Sequence, residues 1–316
     1  MGKRINQIKN LFHIGSLLNK QQVYINSSFE RERVFLRYEQ RKNYLTSMTL
    51  HSNESGICNE KYGEHELIVT MSTHGIRFHE AYLAIESLMQ QSLKPNKIIL
   101  NVAKDEFLGK PIPRMLQRQM ARGLEINYCE DYLSFKKLIP TLRRFPEATI
   151  ISADDDCLYN YDFIENLYLS HLQDPQAIWA NRIHKITKHA DGSLMSYLDW
   201  ESQIPNQEGS SNLFFFTTVG GVIYPPHSLY KDVTRDDIFM EISRYNDDVW
   251  CFAMALLQGT PIKRSFTHAE NGDDFLSVDE VQSVALCNDN TRRDNCRNDS
   301  IIKAVFDRYD IYKKLK

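Results

Sequence analysis

The chain has 316 residues, of which 42% are hydrophobic and 25% are charged, and its net charge at pH 7 is -3. This composition is typical of a globular protein with a sizeable core, and the charge balance excludes a whole-protein field that would recruit nucleic acid. No uninterrupted apolar run approaches the ~20 residues of a membrane span. The six cysteines have no zinc or redox spacing, so we expect a cytoplasmic protein.

Residues 1–65 are predicted to form an N-terminal extension. An apolar pattern with helical spacing over 8–18 precedes a charge-dense helical segment over 30–45, and 46–66 is polar and predicts a linker or long loop. The helical segment is biased towards positive charge by Arg31, Arg33, Arg37, Arg41 and Lys42. It is interpreted as a solvated helix face or, alternatively, as a peripheral contact with an assembly partner or with the anionic inner face of a membrane.

The remaining residues, 66–316, are predicted to form one α/β domain. Buried strands alternate with helical patterns at short intervals, which is typical of a parallel sheet with right-handed crossovers. The four strands that show this pattern are predicted at 67–71, 97–102, 124–128 and 149–153. Further along, the turn signal Asp191-Gly192 predicts a switch to an antiparallel or mixed sheet.

Three aspartates, Asp154, Asp155 and Asp156, follow the fourth predicted strand at its carboxyl end. That edge of an open α/β sheet is where ligands bind. Adjacent carboxylates repel one another unless a cation lies among them, and Mg²⁺ and Mn²⁺ prefer oxygen ligands. In an extended segment, Asp154 and Asp156 lie on one side and Asp155 on the other, so the pair could hold a metal that in turn holds a diphosphate. The alternative is that the acids form only a turn or a helix cap.

Two further features stand in the second half of the domain. Asp247 and Asp248 open a predicted helix, where Asn246 or Asp247 could cap the helix and Asp248 could favour its dipole. Gly220 and Gly221 interrupt an apolar run, which indicates either a close approach of backbone to ligand or simple sheet packing.

Five blocks of this sequence carry a resemblance to a known family. They are AIESLMQQSLKPNKIIL at 84–100, KKLIP at 136–140, IISADDD at 150–156, VGGVIYP at 219–225 and NDDVW at 246–250. Over about residues 67–315 the chain resembles bacterial, family-2-like GT-A glycosyltransferases of the kind found in capsule and lipopolysaccharide gene clusters.

The resemblance implies a GT-A (Rossmann-like) fold, with a mixed, mainly parallel sheet flanked by helices and the N-terminal helical extension outside it. It also implies a nucleotide-binding half at 66–160 and an acceptor-binding half at 161–316 that includes the C-terminal helix. The implied reaction moves a sugar from a nucleotide-sugar, linked to UDP, to a hydroxyl of a glycan or lipid-linked glycan, with inversion. Mn²⁺ or Mg²⁺ would stabilise the charge on the leaving diphosphate.

The same resemblance implies roles for individual residues. Asp247 or Asp248 would be the catalytic base, and the sequence does not separate them, since Asn246 stands where a Glu is frequent in related enzymes. The implied metal ligands are Asp154, Asp156 and His268. The implied nucleotide-sugar contacts are Ser72, Thr73, Arg77, Asp131, Lys137, Asp154 and Asp155. The implied acceptor contacts are Gly220, Gly221 and Trp250.

Two other classes remain open. A sugar-phosphate nucleotidyltransferase shares the sheet and the metal carboxylates, but it needs a Gly-rich phosphate loop after the first strand, and residues 72–77 contain one glycine. A non-catalytic glycan-binding protein would keep the fold, but two separate acidic clusters, Asp154–Asp156 and Asp247–Asp248, count against it.

Overall fold

The computed structural model describes residues 26, 29–278, 280–281, 290–291 and 296–315. The chain divides into two compact units between Tyr44 and Leu45. In the first unit, residues 29–44 are helical, as predicted for the charge-dense segment, whereas the apolar pattern at 8–18 lies outside the described residues. The boundary at residue 65 and the two halves of the domain remain predictions. None of the described helices is both long and apolar enough to cross a bilayer.

A seven-stranded sheet forms the centre of the second unit. In chain order, the strands of this unit are β1 (Leu67–Ser72), β2 (Lys97–Ala103), β3 (Leu124–Cys129), β4 (Thr149–Ser152), β5 (Cys157–Tyr159), β6 (Ile178–Ala180), β7 (Ile183–Lys185), β8 (Phe214–Phe216), β9 (Val222–Tyr224), β10 (Ile262–Arg264) and β11 (Phe275–Ser277). The order across the sheet is β10-β6-β9-β4-β1-β2-β3, while β11-β5 and β7-β8 form separate two-stranded ribbons. Among the described strands of the large sheet, only β9 runs antiparallel to its neighbours. The predicted mixed, mainly parallel α/β sheet is confirmed.

Helices and apolar side chains cover both faces of this sheet. In chain order, the helices after the helical residues 45–51 are α1 (Ala81–Met89), α2 (Lys104–Phe107), α3 (Arg114–Met120), α4 (Ile139–Arg144), α5 (Phe163–Gln173), α6 (Asp236–Ile242), α7 (Asp247–Gln258) and α8 (Arg297–Tyr309). Successive residues of β1 enter different core clusters: Ile68 packs in the cluster that contains α7 and α8, and Val69 packs in the cluster that contains α1 and α5. A strand buried on both faces lacks strict alternation of apolar and polar residues, which is why the sequence shows β1, β2 and β4 as short runs rich in apolar and β-branched residues.

The segment 46–66, predicted as a linker or long loop, is tied to the domain at its first half. Thr49 Oγ1 donates a hydrogen bond to Glu86 Oε2 at 3.1 Å, and Arg122 donates from both terminal nitrogens to the same carboxylate at 2.9 Å each. Arg122 Nε also donates to the carbonyl of Glu54 at 2.8 Å. Thr49 and the Glu54 carbonyl therefore contact a buried ion pair, and residues 46–51 are helical, neither of which composition alone reveals.

Candidate functional site

A cavity of about 800 Å³ opens at the edge of the sheet where β1, β3 and β4 end. Because β9 runs against these strands, its amino end lies at the same edge. The loop before it, including Thr217, Thr218 and Val219, therefore enters the cavity wall together with the residues that follow the parallel strands. This is the edge at which the sequence predicts a ligand site.

The cavity brings together ten of the residues predicted from the sequence. They are Ser72, Thr73, Arg77, Asp131, Lys137, Asp154, Asp155, Asp156, Asp247 and Asp248. Four predicted residues do not line it, namely Gly220, Gly221, Trp250 and His268.

The acidic triplet is arranged differently from the predicted alternation. Asp155 and Asp156 lie in a turn after β4, and both pair with Arg77, at 2.9 Å from Nη1 and 3.1 Å from Nη2 respectively. The backbone N–H of Asp154 donates to the Tyr159 hydroxyl at 2.8 Å, which fixes the start of this turn. The prediction that Asp155 faces away from Asp156 is wrong, because two-residue alternation applies only to an extended chain.

Lys137 joins the two acidic clusters. Its Nζ lies 2.5 Å from Asp154 Oδ1 and 3.7 Å from Asp247 Oδ2, and it donates to Thr218 Oγ1 at 2.6 Å. Burial alone would lower the pKa of Lys137, but Asp154, Asp247 and Asp248 raise it above its usual value. Lys137 is therefore a permanent cation between the carboxylates.

Asn246 caps α7 and leaves the two acids behind it available for other contacts. Its Oδ1 accepts a hydrogen bond from the N–H of Val249 at 3.0 Å. The Asp248 carboxylate instead accepts from the N–H of Thr218 at 3.0 Å. Burial and the neighbouring Asp247 raise the pKa of Asp248 to about 7. Its carboxylate can thus take up a proton near neutral pH.

The donor chemistry of the cavity fits a hard divalent cation. Burial disfavours the charged forms of Asp155 and Asp156 and so raises their pKa values, which an additional cation would oppose. Asp155 Oδ2 is also buried without a hydrogen-bond partner among the described residues. Within the described ranges, no three His, Cys, Asp or Glu side chains converge into a ready coordination shell. Arg77 and Lys137 pair with the carboxylates instead. Asp154 and Asp156 are the oxygen ligands that would hold a cation here.

His268 lies away from the cavity. Its Nε2 contacts Asp162 Oδ2 at 2.6 Å, and its side chain is 60% exposed. The hydrogen bond and charge of Asp162 raise the pKa of His268, which favours the protonated imidazole over the neutral form that binds metals. We do not retain it as a metal ligand.

The three residues predicted to contact the acceptor have packing roles. Trp250 is 0% exposed, and its Nε1 donates to the carbonyl of Val233 at 3.0 Å. A Cβ at Gly221, where φ is +93°, would lie 2.3 Å from Phe163, and one at Gly220 would lie 2.6 Å from Arg182 Cβ. The sheet-packing interpretation of the glycine pair therefore accounts for both positions, and we no longer assign these three residues to the acceptor.

Sequence reasoning missed a second side of the cavity. It is lined by Arg182, His184, Tyr197, Leu198, Trp200, Tyr245, Asn290 and Asn298, among others. No motif marks Tyr197 or Trp200 in the sequence. His184 is buried, its Nδ1 accepts from the N–H of Gln203 at 2.9 Å, and burial together with Arg182 lowers its pKa to about 4.

No protein-family model matches the sequence, and no curated protein matches it. The chain matches 99 chains of solved structures, and two of these are the following. A mannosyltransferase from Pyrobaculum calidifontis in complex with GDP-Man and Mn²⁺ shares 12% identity at a TM-score of 0.39, over 75% of this chain and 66% of that chain. A CMP:2-keto-3-deoxy-manno-octonic acid synthetase complexed with CTP shares 12% identity at a TM-score of 0.34, over 65% of this chain and 93% of that chain. These likenesses concern the fold alone and carry no assignment of function.

Proposed function

We propose that this protein is a glycosyltransferase that moves a sugar from a nucleotide-sugar, linked to UDP, to a hydroxyl of a glycan or lipid-linked glycan, with inversion. The observation that carries the proposal is the contact of Lys137 with both acidic clusters. A transferase of this kind needs a group that accepts charge from the leaving diphosphate and a base that accepts the hydroxyl proton. One cavity here contains candidates for both.

Asp248 is the better candidate for the base. A general base works best when its pKa lies near the operating pH, and the pKa of Asp248 is raised to about 7. Asp247 instead lies 3.7 Å from the Lys137 ammonium and forms an ion pair with it. In the proposed step, the acceptor oxygen bonds to the anomeric carbon as the bond from that carbon to the phosphate oxygen breaks. The hydroxyl proton passes to Asp248.

The leaving nucleoside diphosphate gains negative charge in this step. Arg77 and Lys137 are two of the cations that line the cavity and could pair with it. A divalent cation held by Asp154 and Asp156 would add Lewis-acid stabilisation of the same charge. Ser72, Thr73 and Asp131 line the wall beside these groups and are the proposed contacts to the nucleotide.

The test is nucleotide release from a panel of nucleotide-sugars in the presence of Mn²⁺. We expect the natural protein to turn over. The rate of nucleotide release should fall at least ~100-fold in Asp248→Asn and in Asp156→Ala. It should not change in His268→Asn, which is the matched control outside the cavity. Thermal stabilisation by a nucleoside triphosphate with a sugar phosphate, without release from any nucleotide-sugar, would favour a nucleotidyltransferase. A response to neither set of ligands would favour a glycan-binding protein.

A further inference from the structure

The two carboxylates proposed to hold a divalent cation are already paired with cations of the protein. Asp154 contacts the Lys137 ammonium at 2.5 Å, and Asp156 contacts the Arg77 guanidinium at 3.1 Å. Arg77 also contacts Asp155 at 2.9 Å, so it bridges two acids. A metal ion that approaches Asp154 must therefore share it with, or displace, an existing positive charge.

Lys137 is held more firmly in this position than a surface lysine. The residue is 8% exposed, and its 3-10 helix, Leu133–Lys137, is anchored where the Thr70 hydroxyl donates to the Lys137 carbonyl at 2.6 Å. Of the three donors of an ammonium group, one reaches Asp154 and another reaches Thr218 Oγ1 at 2.6 Å. Its charge is thus directed at protein carboxylates and not at open solvent.

A ligand diphosphate changes this balance. Its oxygens are strong acceptors for an ammonium group, so Lys137 can exchange Asp154 for the diphosphate with a short movement of a flexible side chain. The exchange releases the Asp154 carboxylate for a metal and places Lys137 on the anion that the metal also binds.

We propose that Lys137 is an internal counter-ion that occupies Asp154 until a donor diphosphate draws it away, so that the divalent cation and the diphosphate bind as a coupled pair. This inference rests on the proposed function, because it takes the ligand to be a diphosphate. Lys137 acts as a positioning residue, and Thr218 holds the ammonium beside both acidic clusters. By linkage, the factor by which the diphosphate strengthens metal binding equals the factor by which the metal strengthens diphosphate binding.

The first test measures Mn²⁺ binding to the protein in the absence of nucleotide, by calorimetry, with folding checked by circular dichroism. Lys137→Met removes the competing charge and should bind Mn²⁺ at least ~10-fold more tightly than the natural protein, within the usual range of coupling factors. Lys137→Arg keeps the charge and should remain weak. Lys263→Met is the control for loss of a positive charge elsewhere, since Lys263 pairs with Asp174 at 2.7 Å outside the cavity. Equal or weaker Mn²⁺ binding by Lys137→Met would overturn the inference.

The second test uses the natural protein and so does not depend on a variant that folds. The melting temperature is measured with Mn²⁺ alone, with UDP or GDP alone, and with both together. We expect the pair to raise the melting temperature by more than the sum of the two separate shifts. Additive shifts would overturn the coupling while leaving the transferase proposal intact. Absence of any response to Mn²⁺ and to both nucleotides would count against the proposed function itself, and the inference would fall with it.

Discussion

Replacement of Arg122 by methionine should destabilise the protein by about 3 kcal/mol, because it leaves a buried carboxylate without its main partner. The side chains of Glu86 and Arg122 are 0% and 4% exposed, and the guanidinium donates two hydrogen bonds of 2.9 Å. Breaking a buried ion pair from one side typically reduces the free energy of unfolding by about 3–5 kcal/mol. Thr49 and Gln119 each still donate to Glu86 at 3.1 Å, so we expect the lower end of that range.

Urea unfolding at pH 7 gives the free energy of unfolding for the natural protein, for Arg122→Met and for the double variant Glu86→Gln/Arg122→Met. The double variant contains no buried unpaired charge and should recover most of the loss. A single-variant loss below about 1 kcal/mol would show that the ion pair contributes no more to stability than an exposed one. A double variant no more stable than the single one would show that the loss comes from packing and not from charge.

Three further predictions concern stability. The pKa of His184 is lowered to about 4 in the folded protein, below its value in the unfolded chain. The contribution of the neutral His184 side chain to the free energy of unfolding is therefore fully present above about pH 6.5 and is lost as pH falls towards 4. In His184→Gln, the change in the free energy of unfolding between pH 6.5 and pH 4 should be smaller by up to about 3 kcal/mol. If the free energy of unfolding of this variant falls with pH as steeply as that of the natural protein, the prediction is wrong. Asn246→Ala removes the cap on Val249 and should lower the free energy of unfolding by about 1 kcal/mol. Asn246→Ser keeps a capping oxygen and should lose less, since both variants lose the hydrogen bond to Asn298 equally. Equal losses would argue against the cap. Gly221→Ala forces a Cβ to within 2.3 Å of Phe163 at positive φ and should lower the free energy of unfolding by about 2–3 kcal/mol. The loss should be smaller in a Phe163→Leu background. A neutral effect in thermal unfolding would disprove the clash.

The sequence predicts the sheet and the location of the cavity because both depend on local patterns. Strands such as β1 and β4 are buried on both faces, so they read as apolar runs with sharp ends. The acids after β4 then lie at the ligand-binding edge by the geometry of parallel sheets. The sequence also predicts the start of α7, because Asn246 is a favoured N-cap residue. The helix ends at Gly259, which adopts the left-handed conformation.

The positions that the sequence misplaced depend on contacts between distant segments. The turn at Asp155 follows a hydrogen bond from the Asp154 N–H to Tyr159, which no periodicity reveals. Trp250 is core because α8 and Val233 cover it. His268 is drawn to Asp162, a residue far away in the chain. Single aromatic or histidine residues have no spacing that could distinguish packing from binding.

The reversed strand β9 also limits how the protein can move. It pairs with β4 on one side and with β6 on the other, so the predicted nucleotide-binding and acceptor-binding halves share one continuous ladder of backbone hydrogen bonds. A hinge between them would have to break that ladder, which counts against clamshell closure around the cavity. The loops at the rim of the sheet can move without breaking any of these strand pairings.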